Sequence, residues 1–268
     1  VITPDFLLTQ AELAVLWRHH ELGRLPYPLD VPSFGATESE RRSIEHDVRD
    51  DLAGRGLIYD HHLVGLLHLL AEHDVAVDAV GYFDRTVRAL AVSNGDEAAM
   101  VVIDGDQVGV LEVRPTGLPR SIVDVLPAGA AGPGSGLSVP LDALHTAVRL
   151  HEDAPESEDP WGADDLDERR ALEQAGLSGQ DAAAVAELAA GRVRGGQFGV
   201  SRVSTQLTAD RSHVVINWFD TLQGRYLMVS ENGWLSLAPT DNERLAHRID
   251  SDRLGARRRL RITSPVAA

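Results

Sequence analysis

The sequence predicts an α+β fold built as two halves on one plan, each running helices, then a β-meander, then a helix. Two observations carry this reading. The apolar spacing switches from helical to alternating near Val75 and again beyond Gly191. The ends of the two meanders also match: Asp104-Gly105, a strand, Pro115-Thr116 and Arg120 correspond to Asn232-Gly233, a strand, Pro239-Thr240 and Arg244. A pseudo-duplicated architecture explains this order better than two unrelated domains. The halves are placed at residues 1–126 and 137–250, joined by a Gly/Pro/Ala connector at 127–136 and followed by an Arg-rich tail at 251–268.

In the first half, Thr9-Gln10-Ala11-Glu12 is a capping box, and Leu13, Leu16 and Trp17 follow at helical spacing to about Gly23. Pro26 to Pro32 carries three prolines and is expected to be an extended edge segment. Thr37-Glu38-Ser39-Glu40 opens a polar helix that stops at Gly56. Asp60 caps an apolar helix carrying Leu63, Leu66, Leu67, Leu69 and Leu70. Strands at Val75 to Phe83 and Val87 to Val92 join at Asp84-Arg85. The turns Asn94-Gly95-Asp96 and Asp104-Gly105-Asp106 continue an antiparallel meander of four strands to Val113. A helix with Ile122, Val123 and Leu126 ends the half.

The stretch Pro127 to Gly136 reads as a flexible connector. A helix from about Pro140 to His151 follows. Residues 152–168 then hold nine acidic and no basic residues, interrupted by Pro155 and Pro160, as expected of an acidic loop. Helices near 166–175 and 178–190 flank Gly176. Strands are expected at Gln197 to Thr208, Val214 to Phe219, Tyr226 to Val229 and Trp234 to Leu237. A last helix spans about Thr240 to Ile249, and the Arg-rich tail is expected to fray.

With 268 residues, the chain fits one large domain or two coupled ones at ~150 residues per domain. Its net charge is −16, and all 25 of its basic residues are Arg. That balance argues against gripping nucleic acid or an anionic membrane, both of which need a cationic surface. The absence of Cys excludes disulfides, thiol catalysis and thiolate zinc sites. Val1 to Phe6 lacks a basic region followed by an apolar core, and no stretch approaches ~18 consecutive apolar residues. Neither a signal peptide nor a membrane span is expected, and the expected location is cytoplasmic.

The chemistry-bearing residues form no active site. Asp60-His61-His62 has the letters of a phosphoesterase metal motif, but the further Asp/His clusters of such a site are missing and Asp60 stands at a helix cap. A metal-dependent hydrolase built on these three residues is the alternative reading. Gly195-Gly196-Gln197 shares the tripeptide of translation termination factors, which bind ribosomal RNA, a poor fit to so acidic a chain. Its glycines suit a bulged or bent strand start and close backbone approach. The carboxylate pairs at Asp164-Asp165 and Asp167-Glu168 read as solvated. No catalytic residue, metal or cofactor is assigned, and the chain reads as a binding protein.

Gly195-Gly196-Gln197-Phe198-Gly199, a strand pair, and then Trp218-Phe219-Asp220-Thr221-Leu222-Gln223-Gly224-Arg225-Tyr226 resemble the EspG family. These are cytosolic chaperones of actinobacterial ESX (type VII) secretion systems. Leu13 to Trp17, the helix with Arg41-Arg42 that ends Leu52 to Leu57, and Arg88-Ala89-Leu90-Ala91 agree with the resemblance, which covers about residues 5–250. It implies a non-enzymatic fold of two quasi-symmetric halves around a central antiparallel β-sheet flanked by helices. It further implies binding to the apolar helical tip of the PPE subunit in secreted PE–PPE heterodimers, which keeps the client soluble and directs it to the ESX machinery.

On that reading, the candidate partner-binding residues are Tyr82, Phe83, Asp84 and Arg85 at the first hairpin, with Phe198, Trp218 and Trp234 from the second half. The hairpin is the sharper choice, because a charged tip has no core duty. Phe198 and Trp218 lean towards a structural role. Asp220 and Thr221 are expected to set the turn before Gly224. A homodimer stays open as well, since edge strands that bind clients can pair with each other.

Overall fold

In the first helix, the Thr9 side chain accepts from Glu12 N–H at 3.2 Å while the Glu12 carboxylate accepts from Thr9 N–H at 2.6 Å. This closed capping box starts α1 (Gln10–His19), directly after a short strand, β1 (Phe6–Thr9). The computed structural model describes residues 3–152, 164–203, 209–211 and 215–262. The chain divides into two compact units, one of residues 1–127, 198–212 and 246–268, the other of 128–197 and 213–245. The fold is α+β, with antiparallel strands and flanking helices in both.

In the first unit, the second predicted capping box opens α2 (Glu38–Gly54), and Asp60 caps α3 (His61–Ala71), accepting from His62 and Leu63 N–H at 3.0 and 2.9 Å. The meander follows as β2 (Val75–Tyr82), β3 (Thr86–Ser93), β4 (Ala98–Asp104) and β5 (Gln107–Glu112). Each strand pairs antiparallel with the next, and β5 closes on β1 with Leu8 opposite Val108. Leu90 and Val92 join Leu13, Leu16, Trp17, Leu63 and Leu67 in the core under the helices. Ala89 and Ala91, equally buried, alternate to the other face, and α4 (Leu118–Val123) packs on β2, β3 and β4. Burial on both faces explains why these strands read as nearly unbroken apolar runs.

The second unit repeats the plan. It opens on β6 (Leu137–Pro140) and continues with α5 (Leu141–Glu152), α6 (Asp164–Gln174) and α7 (Gly179–Ala190). Next come β7 (Arg192–Val203), which passes into the first unit at Phe198, and β8 (Ala209–Arg211), which lies in the first unit and pairs with β7. β9 (Val215–Thr221), β10 (Gly224–Glu231) and β11 (Trp234–Pro239) then form an antiparallel ladder, and β11 closes on β6 as β5 closes on β1. Ala147, Leu172, Ala182 and Ala186 of the helices cover Phe219, Tyr226, Leu235 and Leu237 of the sheet. The last helix, α8 (Asn242–Ile262), starts in this unit.

The structure corrects four local expectations. β1 and β6 fall where no strand was expected, because four residues are too few to show a period and only a paired neighbour defines them. Pro26 to Pro32 forms no strand, and Leu29 is buried instead. α8 runs through much of the Arg-rich segment expected to fray, as good helix formers such as Arg and Leu permit.

The fourth concerns the connector, which is pinned. Arg225 donates its N–H to Ala130 O at 2.8 Å, its carbonyl accepts from Gly132 N–H at 3.1 Å, and Tyr226 OH donates to Pro133 O at 3.0 Å. Its glycines serve close approach: a Cβ on Gly129 would lie 2.6 Å from the Arg225 guanidinium carbon, and one on Gly132 2.3 Å from the Tyr226 ring. Most of the acidic segment 152–168 lies outside the described residues.

Candidate functional site

The hairpin between β2 and β3 presents four of the candidate residues together. Tyr82 is 61% exposed, Asp84 and Arg85 are exposed, and Phe83 is half-buried. Arg85 is engaged within its own unit, forking onto the Asp104 carboxylate with Nη2 to Oδ2 at 2.7 Å. This brace joins the β2–β3 and β4–β5 loops, so the tip is held in place by a pair that itself faces solvent. Trp234, at the start of β11, is 52% exposed.

Phe198 and Trp218 are 2% and 1% exposed, so neither presents a surface to a partner as placed. Trp218 belongs instead to a buried ionic cluster. Strand register sets Asp220 directly opposite Arg225 across the β9–β10 ladder. Arg225 donates through Nε to Asp220 Oδ1 at 2.7 Å and through Nη2 to Oδ2 at 3.0 Å. Arg194 of β7 adds a bond to Oδ2 at 2.7 Å, Asn242 at the start of α8 accepts from Arg225 Nη1, and the guanidinium lies 4.8 Å over the Trp218 ring. Burial pushes the Asp220 carboxyl up, but the hydrogen bonds and charges of Arg225 and Arg194 outweigh it and hold the group below the usual carboxylate range.

Asp220 therefore does not set the turn; it anchors this cluster. Thr221 does set it, accepting from Gln223 N–H at 3.1 Å and donating to Gly224 O at 3.2 Å. Gly195 lies within β7, where a Cβ would stand 2.8 Å from Trp218 O, so close backbone approach explains that glycine. The family-like motif thus works as a fold lock. Sequence reasoning missed Arg194 and Asn242, since an Arg in an acidic chain reads as surface.

A groove of about 650 Å³ lies in the same unit, between α7, the connector and the β9–β10 turn. Leu137, Leu188, Val193 and Tyr226 line it, and Leu222 on its rim is 93% exposed. The signal for this residue was present in the sequence: a leucine stands at a hairpin tip, where local turn chemistry asks for polar residues or glycine.

Asp60, His61 and His62 do not assemble a metal centre. The Asp60 carboxylate is taken by backbone N–H groups, and His62 lies 4.0 Å from both Asp5 and Glu112. Among the described residues no group of three His, Asp or Glu side chains is placed to hold a metal ion, and no helix is long and apolar enough to cross a membrane.

The duplicated meander with its buried motif is the arrangement to which known proteins can be compared. The model of the EspG family matches residues 9–251. The chain belongs to the EspG family. The fold agrees: the EspG5 chaperone of the Mycobacterium tuberculosis type VII secretion system, solved in complex with a PE25–PPE41 dimer, superposes with a TM-score of 0.69 over 90% of this chain and 92% of that one. Their sequence identity is 13%, so the likeness is one of fold. Among curated proteins none matches.

Proposed function

We propose that this EspG-family chain is a non-enzymatic chaperone that binds the PPE-like subunit of a PE–PPE-like secretion substrate and keeps its apolar helical tip soluble for a type VII system. The single observation that carries this is family membership over residues 9–251, joined to a fold shared with an EspG5 chaperone solved with a PE–PPE dimer. The physical logic is burial: an apolar helix tip is an aggregation hazard, and a complementary surface removes it from water at ~25 cal/mol per Å².

Surface exposure supports Tyr82, Asp84 and Trp234 as direct contacts, with Arg85 holding the hairpin through Asp104 and Phe83 half-buried beside it. Phe198 and Trp218 would act on binding through the packing they provide. A soluble chaperone that stays in the cytoplasm while its client leaves fits the charge of −16, which limits association with the apolar client's aggregates. Co-expression with a PE–PPE-like pair tests the reading: capture of the pair through its PPE-like member supports it, and a folded pair that elutes without the chain refutes it.

A further inference from the structure

The duplication supplies an internal control for the β9–β10 turn. Its counterpart in the first half is the β3–β4 turn, Asn94-Gly95-Asp96, where Asn94 Oδ1 accepts from Asp96 and Glu97 N–H at 3.1 and 2.9 Å. That turn is polar throughout. In the second half, Thr221 carries the turn's side-chain hydrogen bonds and Gly224 adopts the positive φ of +146°, so folding asks nothing of Leu222. Yet it is a leucine, 93% exposed, on the rim of a groove lined by both apolar and polar residues.

The electrostatics of that groove have one sign. Its charged lining residues are Asp181 and Glu187, and no cationic side chain lines it among the described residues. Asp181 is occupied by the α7 cap, where Ser178 Oγ donates to it at 2.8 Å. Glu187 is exposed and close enough to Tyr226 that its charge, after burial, raises the phenol's pKa. α7 also ends here, at Gly191, with no basic residue in its last turn, so its terminal carbonyls add a partial negative charge.

We propose that this groove docks a helical segment of the client that presents an apolar side chain to Leu222, Val193 and Leu188, with an Arg or Lys one turn away facing Glu187. The assignment rests on the chaperone reading and names the chemistry its client must carry. Glu187 selects by charge, and Leu222 supplies contact area.

Two helical peptides sharing one leucine ridge, flanked by Arg in one and by Glu in the other, test the groove on the full chain. The Arg-flanked peptide should bind at least about fivefold tighter, weaken as salt rises, and protect the amides of residues 221–226 and 187–193 from exchange. Glu187→Arg should abolish the preference, and Leu222→Asp should weaken binding of both peptides by roughly tenfold or more without moving the melting temperature. Equal binding of the two peptides, or protection elsewhere on the chain, overturns the proposal. So does concentration-dependent self-association that Leu222→Asp removes, since it makes a second copy the occupant.

The two readings fail separately. Capture of a PE–PPE-like pair unimpaired by both substitutions overturns the groove and leaves the chaperone standing. Peptide discrimination by a chain that captures no such pair keeps the groove's specificity and overturns the chaperone.

Discussion

Arg225 is fully buried, and three hydrogen bonds, two to Asp220 and one to Asn242, plus an indole face account for its guanidinium. Removing one member of a buried pair strands the other, so Arg225→Ala should lower stability by about 3–5 kcal/mol in urea unfolding. Arg225→Lys should recover only part of this, because an ammonium cannot fork onto both Asp220 oxygens. The same pair fixes an acid response. Asp220 titrates lower in the folded chain than in the unfolded one, so the unfolded state binds the extra proton first. Its contribution is complete above about pH 4 and is lost as pH falls through the folded value. Acid unfolding of Asp220→Asn should accordingly be shallower below about pH 4 than that of the parent. The pairing was half legible in the sequence: a two-residue turn after Thr221 sets Asp220 opposite Arg225, but nothing in the letters said that both were buried.

Among the elements, caps and close approaches set local stability. Asp60→Ala should cost about 1 kcal/mol through loss of the α3 cap, with no change in bound metal on elemental analysis. Gly132→Ala should cost more, on the order of 1–3 kcal/mol, since its methyl group would overlap the Tyr226 ring and force the connector off β10. A flexible linker would tolerate that change. His73, after the end of α3, is pushed below the ordinary imidazole pKa by burial, which outweighs its bond to Leu70 O at 3.1 Å and the Asp74 charge. Being neutral in the fold, it supports stability above about pH 6.5 and loses that support as pH falls through its folded value. His73→Gln should therefore flatten the denaturation midpoint between pH 7.5 and 5.5. Capping boxes and glycine turns were readable because their chemistry is local. The connector was not, because Gly and Ala look alike whether they flex or pack against a neighbour.

For the molecule as a whole, the duplication is legible in turn chemistry, and the pairings of β1 with β5 and β6 with β11 extend it to strands the sequence does not betray. The candidate site was less legible. Tyr82 is exposed because it ends β2 and Trp234 because exposed and buried residues alternate at the start of β11, whereas Phe198 and Trp218 lie in stretches buried on both faces, and aromatic residues read alike in all of these places. Function is best sought where the two halves share a plan but differ in chemistry, as at the Asn94-Gly95-Asp96 and Leu222 turns.

Capture of a PE–PPE-like heterodimer is the property on which the proposed function turns. The direct measurement is light scattering on the complex eluted by size exclusion after co-expression. One copy each of the chain, the PE-like and the PPE-like subunit should elute in a single peak. A soluble, folded pair running apart from the chain at micromolar concentration would refute the chaperone function.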